Sequence, residues 1–278
     1  MNKNIKKIVK KSGSSFFWGM HILPTKERRA IYTLYAFCRH IDDIVDGDSL
    51  LSQKQELINA WRNEIDNIYD KRVPASEIGR NIYKNCMRFN IPKKDLTDLL
   101  EGISMDLPSP IQAPDLSRLK LYCRGVAGAP GSMSLRILGC KDENLIYELS
   151  TSLGEAMQLT NILRDVKEDA QADRLYIPKE FLLQAGITST DPKTVLVDKN
   201  LSKAREELAK LALQDYAKAF ELIKTLDKKT ARNINALSYV YKRYFDIMQN
   251  RGWEIISPRP KLNKLQKIML MIKAMCGR

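Results

Sequence analysis

The chain has 278 residues, 44% of them hydrophobic, enough for one large or two modest packed units. Its 46 Lys and Arg against 33 Asp and Glu give a formal charge of +13, which favours nucleic acid, anionic lipid head groups or polyanionic small substrates as partners. Two histidines argue against a histidine-based zinc site, and five cysteines without a CxxC pair argue for buried thiols in a reducing cytosol rather than a disulfide framework.

Residues 1–12 form a basic tail with Lys3, Lys6, Lys7, Lys10 and Lys11, and lack the apolar run of a secretory signal. A small polar stretch, Ser12-Gly13-Ser14-Ser15, precedes Phe16-Phe17-Trp18. Pro24-Thr25-Lys26-Glu27 opens the first strong helix, which is predicted to end near Gly47. Its segment 30–45 is almost wholly apolar, the pattern of a helix buried nearly all round. Tyr35, Arg39, Asp42 and Asp46 fall within roughly 60° of one another on that helix, with Asp43 at the edge of the stripe. A buried carboxylate needs a partner or loses its charge. Hard divalent cations satisfy Asp42 and Asp46 most simply.

An amphipathic helix is predicted over 53–69, and a further helix over 77–89 with Ser76 as its N-cap. Pro92 suits the first turn of a helix running to about Met105. Pro108, Pro110 and Pro114 make the next connection a loop. Residues 116–138 read as a helix interrupted at 125–131, where Pro130 predicts a kink or a break. A second long apolar helix is expected from Asp142 to about Lys167, then a short one ending at Gly186, a loop over 187–200, and amphipathic helices over 201–226 and 229–251. Strand-like alternation and solenoid periods are absent, so the expected fold is all-α, one domain of long bundled helices.

The second long helix repeats the design of the first. Gln158, Asn161, Asp165 and Asp169 lie within roughly 80° on its wheel. A lone DxxxD is commonly a structural salt-bridge site. Two such stripes facing each other repel unless cations intervene, and Mg²⁺ prefers a few carboxylates completed by water and phosphate oxygens. The pattern points to a metal-dependent site for a diphosphate.

The set Tyr35-x-x-x-Arg39-x-x-Asp42-x-x-x-Asp46, Tyr122-Cys123-x-x-Val126-Ala127-Gly128 and Gln158-x-x-Asn161-x-x-Arg164-Asp165-x-x-x-Asp169 resembles the squalene/phytoene synthase family over nearly the whole chain. Phe17-Trp18-Gly19-Met20, Ala36-Phe37-Cys38-Arg39, Asp106-Leu107-Pro108 and Arg174-Leu175-Tyr176-Ile177-Pro178 resemble its members that form presqualene diphosphate in bacterial hopanoid biosynthesis. The resemblance implies an isoprenoid synthase fold with a central cavity and Mg²⁺, or Mn²⁺ in its place, held by Asp42, Asp46, Asn161, Asp165 and Asp169. It implies that Tyr35 and Arg39 contact a diphosphate and that Tyr122 stands beside the reacting carbons. Ser14, Ser15, Phe16, Asp43, Gln158, Arg164, Tyr241 and Arg259 complete the substrate-binding set, Arg164 as an ion-pair partner of the acidic stripe.

The implied reaction is the head-to-head joining of two farnesyl diphosphates, without NADPH, for downstream squalene and hopanoid enzymes. Tyr35, Tyr122 or the released diphosphate accepts the proton. Longer prenyl substrates, as in phytoene synthesis, and a squalene or hydroxysqualene product are the alternatives within the family. A non-catalytic member should have lost motif carboxylates, yet Asp42, Asp46, Asp165 and Asp169 are all present. A nucleic-acid-binding bundle should show aromatic stacking residues on a basic face, and the aromatics here lie mainly in apolar helices. Leu262, Leu265, Ile268, Met269 and Ile272, interleaved with lysines, predict a basic amphipathic C-terminal helix over 261–278. The expected location is cytoplasmic, with that helix either on the inner face of the plasma membrane or packed back on the bundle.

Overall fold

The computed structural model describes Met20 and residues 23–276, and Ser14, Ser15 and Phe16 lie outside that range. Twelve α-helices follow in chain order among the described residues. They are α1 (Thr25–Asp46), α2 (Leu51–Tyr69), α3 (Glu77–Phe89), α4 (Lys93–Ser104), α5 (Leu116–Cys123), α6 (Ala129–Ile137), α7 (Glu143–Gln171), α8 (Lys179–Gln184), α9 (Pro192–Leu196), α10 (Leu201–Lys224), α11 (Lys228–Arg251) and α12 (Lys264–Cys276). No strand occurs among the described residues; Gln112 and Leu175 form an isolated parallel bridge.

The helix ends follow local chemistry. Ser76 Oγ accepts the Gly79 N–H at the start of α3, and Asp142 does the same for Leu145 at the start of α7. Pro92 stands one residue before α4 as its N-cap. The region 187–200, expected to be loop, contains α9. Asp191 caps Thr194 N–H and Pro192 opens the helix, a start signal strong enough to hold a single turn.

Pro130 does not break the chain's helical path. A π-helical segment, Arg124–Gly128, joins α5 to α6, and Ala129 N–H bonds back five residues to the Arg124 carbonyl. The wider turn absorbs the proline's missing donor where a kink was expected.

Helix α7 lies along α10 and also packs on the π segment, α6 and α11. Helix α1 packs on α2, α3, α4 and α6. Both acidic helices thus rest on α6. Ala36, Phe37 and Ile41 of α1, and Leu159, Ile162 and Leu163 of α7, are buried in the apolar core. Helix α12 packs on α11, where Val240, Tyr244 and Leu262 form a small buried cluster with Leu270 against it.

Candidate active site

Burial of the apolar faces of α1 and α7 turns their polar stripes toward a shared space. A cavity of about 370 Å³ is lined by Asp42 and Asp46 of α1 and by Gln158, Asn161, Arg164, Asp165 and Asp169 of α7. Tyr122, at the end of α5, and Val126, in the π segment, complete one side. An apolar cavity of about 280 Å³ continues from it, sharing Asp42, Val126, Gln158 and Asn161. Its wall includes Leu135, Leu149, Leu153, Met157, Ile234 and Leu237, with the phenols of Tyr35 and Tyr241 among them.

Close packing shapes this junction. A Cβ on Gly154 of α7 would lie 2.7 Å from Gly128 N, and one on Gly125 would lie 2.5 Å from Gly102 Cα. Glycine at these crossings lets the π segment seat directly against α7 and α4.

The carboxylates are held in two different ways. Asp42 is pushed up to about 7 by burial, with Asp46 adding repulsion and Arg39 opposing it. Asp169 is likewise pushed up to about 7 by burial, then by Asp165, with Arg174 opposing. Asp46 and Asp165 instead meet arginines. Arg174 pairs with Asp46 at 2.5 Å. Arg164 grips both oxygens of Asp165 at 2.7 and 2.6 Å, while Arg259 reaches the same carboxylate at 2.6 Å. Arg164 also lies over the Tyr244 ring. The expected ion-pair role of Arg164 is therefore visible, and Arg259 is brought into the site from outside the helices.

The donors along α7 fit a divalent cation. Asn161 Nδ2 donates to Gln158 Oε1 at 3.3 Å, and Asn161 Oδ1 is buried with no partner. An orphaned carbonyl oxygen beside repelling carboxylates suits a hard cation. Among the described residues no three His, Cys, Asp or Glu converge into a ready protein cage.

Two residues of the predicted stripe stand apart from the cavity walls. Arg39 pairs with Asp43 at 2.6 Å, with side chains 46% and 57% exposed. The i,i+4 attraction along α1 carries both to the rim. Three residues that the wheel could not assign join the wall instead: Asp106, Arg174 and Tyr176. They sit on two connectors stitched by backbone bonds. Asp173, at φ 56°, ends α7 in the left-handed region. Leu175 N–H then bonds to Ile111 O at 2.9 Å, and Ala113 N–H to Leu175 O at 2.8 Å. The only sequence signal was their place in the short motifs around Asp106 and Arg174.

Residues 9–266 match the family described as Squalene/phytoene synthase. A presqualene diphosphate synthase of Sinorhizobium fredii is 37% identical over 261 residues, spanning 94% of this chain and 92% of the relative. One from Rhodopseudomonas palustris is 38% identical over 265 residues, with 94% and 92% spanned. A dehydrosqualene synthase crystallised with a ligand superimposes with a TM-score of 0.86 at 27% identity, covering 99% of this chain and 95% of that one. The all-helical fold is that of the isoprenoid synthases. The chain belongs to the squalene/phytoene synthase family.

Proposed function

We propose that this chain joins two farnesyl diphosphates head to head to give presqualene diphosphate, one diphosphate and a proton. The observation that carries the reading is the continuity of the acidic cavity with the apolar one through Asp42, Val126, Gln158 and Asn161. An amphiphile with a diphosphate head and a hydrocarbon tail matches both halves at once. Its relatives of 37% and 38% identity point the same way.

Asp42 and Asp46 on one wall, and Asn161, Asp165 and Asp169 on the other, would hold Mg²⁺ or Mn²⁺ against the two diphosphates. A bound divalent cation supplies charge neutralisation for the departing diphosphate. Arg174, Arg164 and Arg259 place permanent positive charge at the same end of the cavity. The allylic cation left behind lies among Leu135, Leu153, Met157 and Ile234, which keep water away. The double bond of the second substrate attacks this cation, and proton loss closes the cyclopropane. The reaction is redox-neutral, so no NADPH enters it.

Helix α12 supplies a peripheral membrane contact in this reading. Leu265, Met269 and Ile272 stand 66%, 60% and 55% exposed along one stripe. Lys261, Lys264, Lys267 and Lys273 accompany them, and residues 261–278 contain no acidic residue. A basic, apolar face fits anionic lipid. No helix among the described residues is long and apolar enough to cross a membrane. Sedimentation with phosphatidylglycerol vesicles should fall when Leu265, Met269 and Ile272 are replaced by Ser; unchanged sedimentation removes the contact.

The catalytic reading is tested by incubation with farnesyl diphosphate and Mg²⁺, with and without NADPH. Presqualene diphosphate formed without NADPH supports it. Turnover of geranylgeranyl diphosphate alone contradicts it.

A further inference from the structure

Three cavity residues form one hydrogen-bonded chain. The rings of Tyr122 and Tyr176 stack with centroids 4.9 Å apart. Tyr122 Oη donates to Tyr176 Oη at 3.3 Å, and Tyr176 Oη donates to Asp106 Oδ2 at 2.7 Å. Asp106 Oδ1 accepts the Ile111 N–H at 3.0 Å, and Arg174 Nε lies 3.7 Å from Oδ2. Tyr122 and Tyr176 are 8% and 5% exposed, and the Asp106 side chain 7%.

The direction of this chain follows from its end. Asp106 accepts the Ile111 N–H and stands against the Arg174 guanidinium, and a carboxylate offers the Tyr176 hydroxyl acceptors only. Tyr176 therefore gives its proton to Asp106 and receives that of Tyr122. Tyr122, a lining residue of the cavity, thereby spends its proton on Tyr176 and keeps its oxygen as an acceptor. Burial keeps both phenols protonated, raising each well above its ordinary value.

We propose that Asp106 and Tyr176 are positioning residues that fix the polarity of Tyr122, so that its oxygen takes the proton lost on cyclopropane closure. The inference rests on the condensation reading. The ring contains C1 of the cationic prenyl unit and C2 and C3 of the second, so the proton leaves C1. The C1–H bond breaks and its electron pair forms the C1–C3 bond. The proton passes to Tyr122 while its own moves to Tyr176 and that of Tyr176 to Asp106, which later releases it to solvent. No oxidant or reductant is needed.

Two substitutions act on the chain differently. Tyr176→Phe cuts it while keeping the ring stack. Asp106→Asn keeps an acceptor for Ile111 but puts an amide donor against Tyr176, turning the Tyr122 proton toward the cavity. Both are compared with the unmodified full chain on farnesyl diphosphate and on farnesyl diphosphate dideuterated at C1, with Mg²⁺ present. We expect kcat to fall about 10–100-fold with KM nearly constant. The primary deuterium isotope effect on kcat should grow in both variants, because proton loss becomes the slow step. A structural defect would lower kcat without enlarging that effect. Unchanged kcat, or a loss without a larger isotope effect, overturns the inference. If Asp106→Asn fails to fold, Tyr176→Phe decides alone. Failure of the unmodified chain to convert farnesyl diphosphate is a separate result: it refutes the choice of substrate, and the comparison then runs on the C1-deuterated prenyl diphosphate it does accept. An unmodified chain inert to every prenyl diphosphate overturns both.

Discussion

Divalent cation should stabilise this protein in alkaline solution and leave it nearly unchanged in mild acid. Burial and like charge hold Asp42 and Asp169 at about 7, against an ordinary 3.8. The folded state therefore binds more protons than the unfolded chain between about pH 4 and 7, and stability is lost as pH rises through that window. At about 1.4 kcal/mol per pH unit, each charged carboxylate costs on the order of 2–4 kcal/mol above pH 7. Asp215, also pushed up to about 7 by burial and by Glu155, adds a cost that no site cation relieves. A cation at 100 times its Kd returns about 2.7 kcal/mol. For a chain of this size that raises Tm by roughly 5–10 °C. Thermal melts with and without Mg²⁺ at about pH 8 and pH 5.5 read the difference directly. The shift should be large at the higher pH, small at the lower, and absent in Asp42→Asn/Asp169→Asn. An equal shift at both pH values, or one that survives the double substitution, refutes the reasoning.

Gly154→Ala should lower Tm although Ala is the better helix former by up to about 1 kcal/mol. The added carbon meets Gly128 N at 2.7 Å and Cα at 2.8 Å, and such overpacking costs about 1–3 kcal/mol; a raised Tm would contradict this. Arg205→Met should destabilise by about 2–4 kcal/mol in urea titration, because Arg205 is 1% exposed and its guanidinium donates to the Leu163 and Trp253 carbonyls, and no loss would contradict it. Arg259→Ala should raise KM for the prenyl diphosphate several-fold, on the order of 1 kcal/mol, with kcat less affected. An unchanged KM would remove Arg259 from the binding site.

Much of the architecture is local in origin and was therefore readable. The apolar surrounds of the two DxxxD stripes predict α1 and α7, and Ser76, Pro92 and Asp142 mark helix starts where they occur. Asp191-Pro192 carried an equally good start signal, but one turn is too short for periodicity to register. Arg39 shows what a wheel leaves open: it stands about 40° from Asp43 and about 60° from Asp42, and its long side chain takes the exposed carboxylate of Asp43. Asp106, Arg174 and Tyr176 lie on connectors, outside any helical period. Their meeting depends on the Gln112–Leu175 bridge, a contact between residues far apart in sequence. Pro130 predicts an interruption, and whether the chain breaks or widens into a π turn is decided by packing against Gly102 and Gly154.

Stoichiometry tests the central claim most directly. With farnesyl diphosphate and Mg²⁺ alone, the account predicts one diphosphate released for every two substrates consumed, and a thirty-carbon product that retains the other. Release of both diphosphates without NADPH, or of one from each substrate as simple hydrolysis, would contradict it.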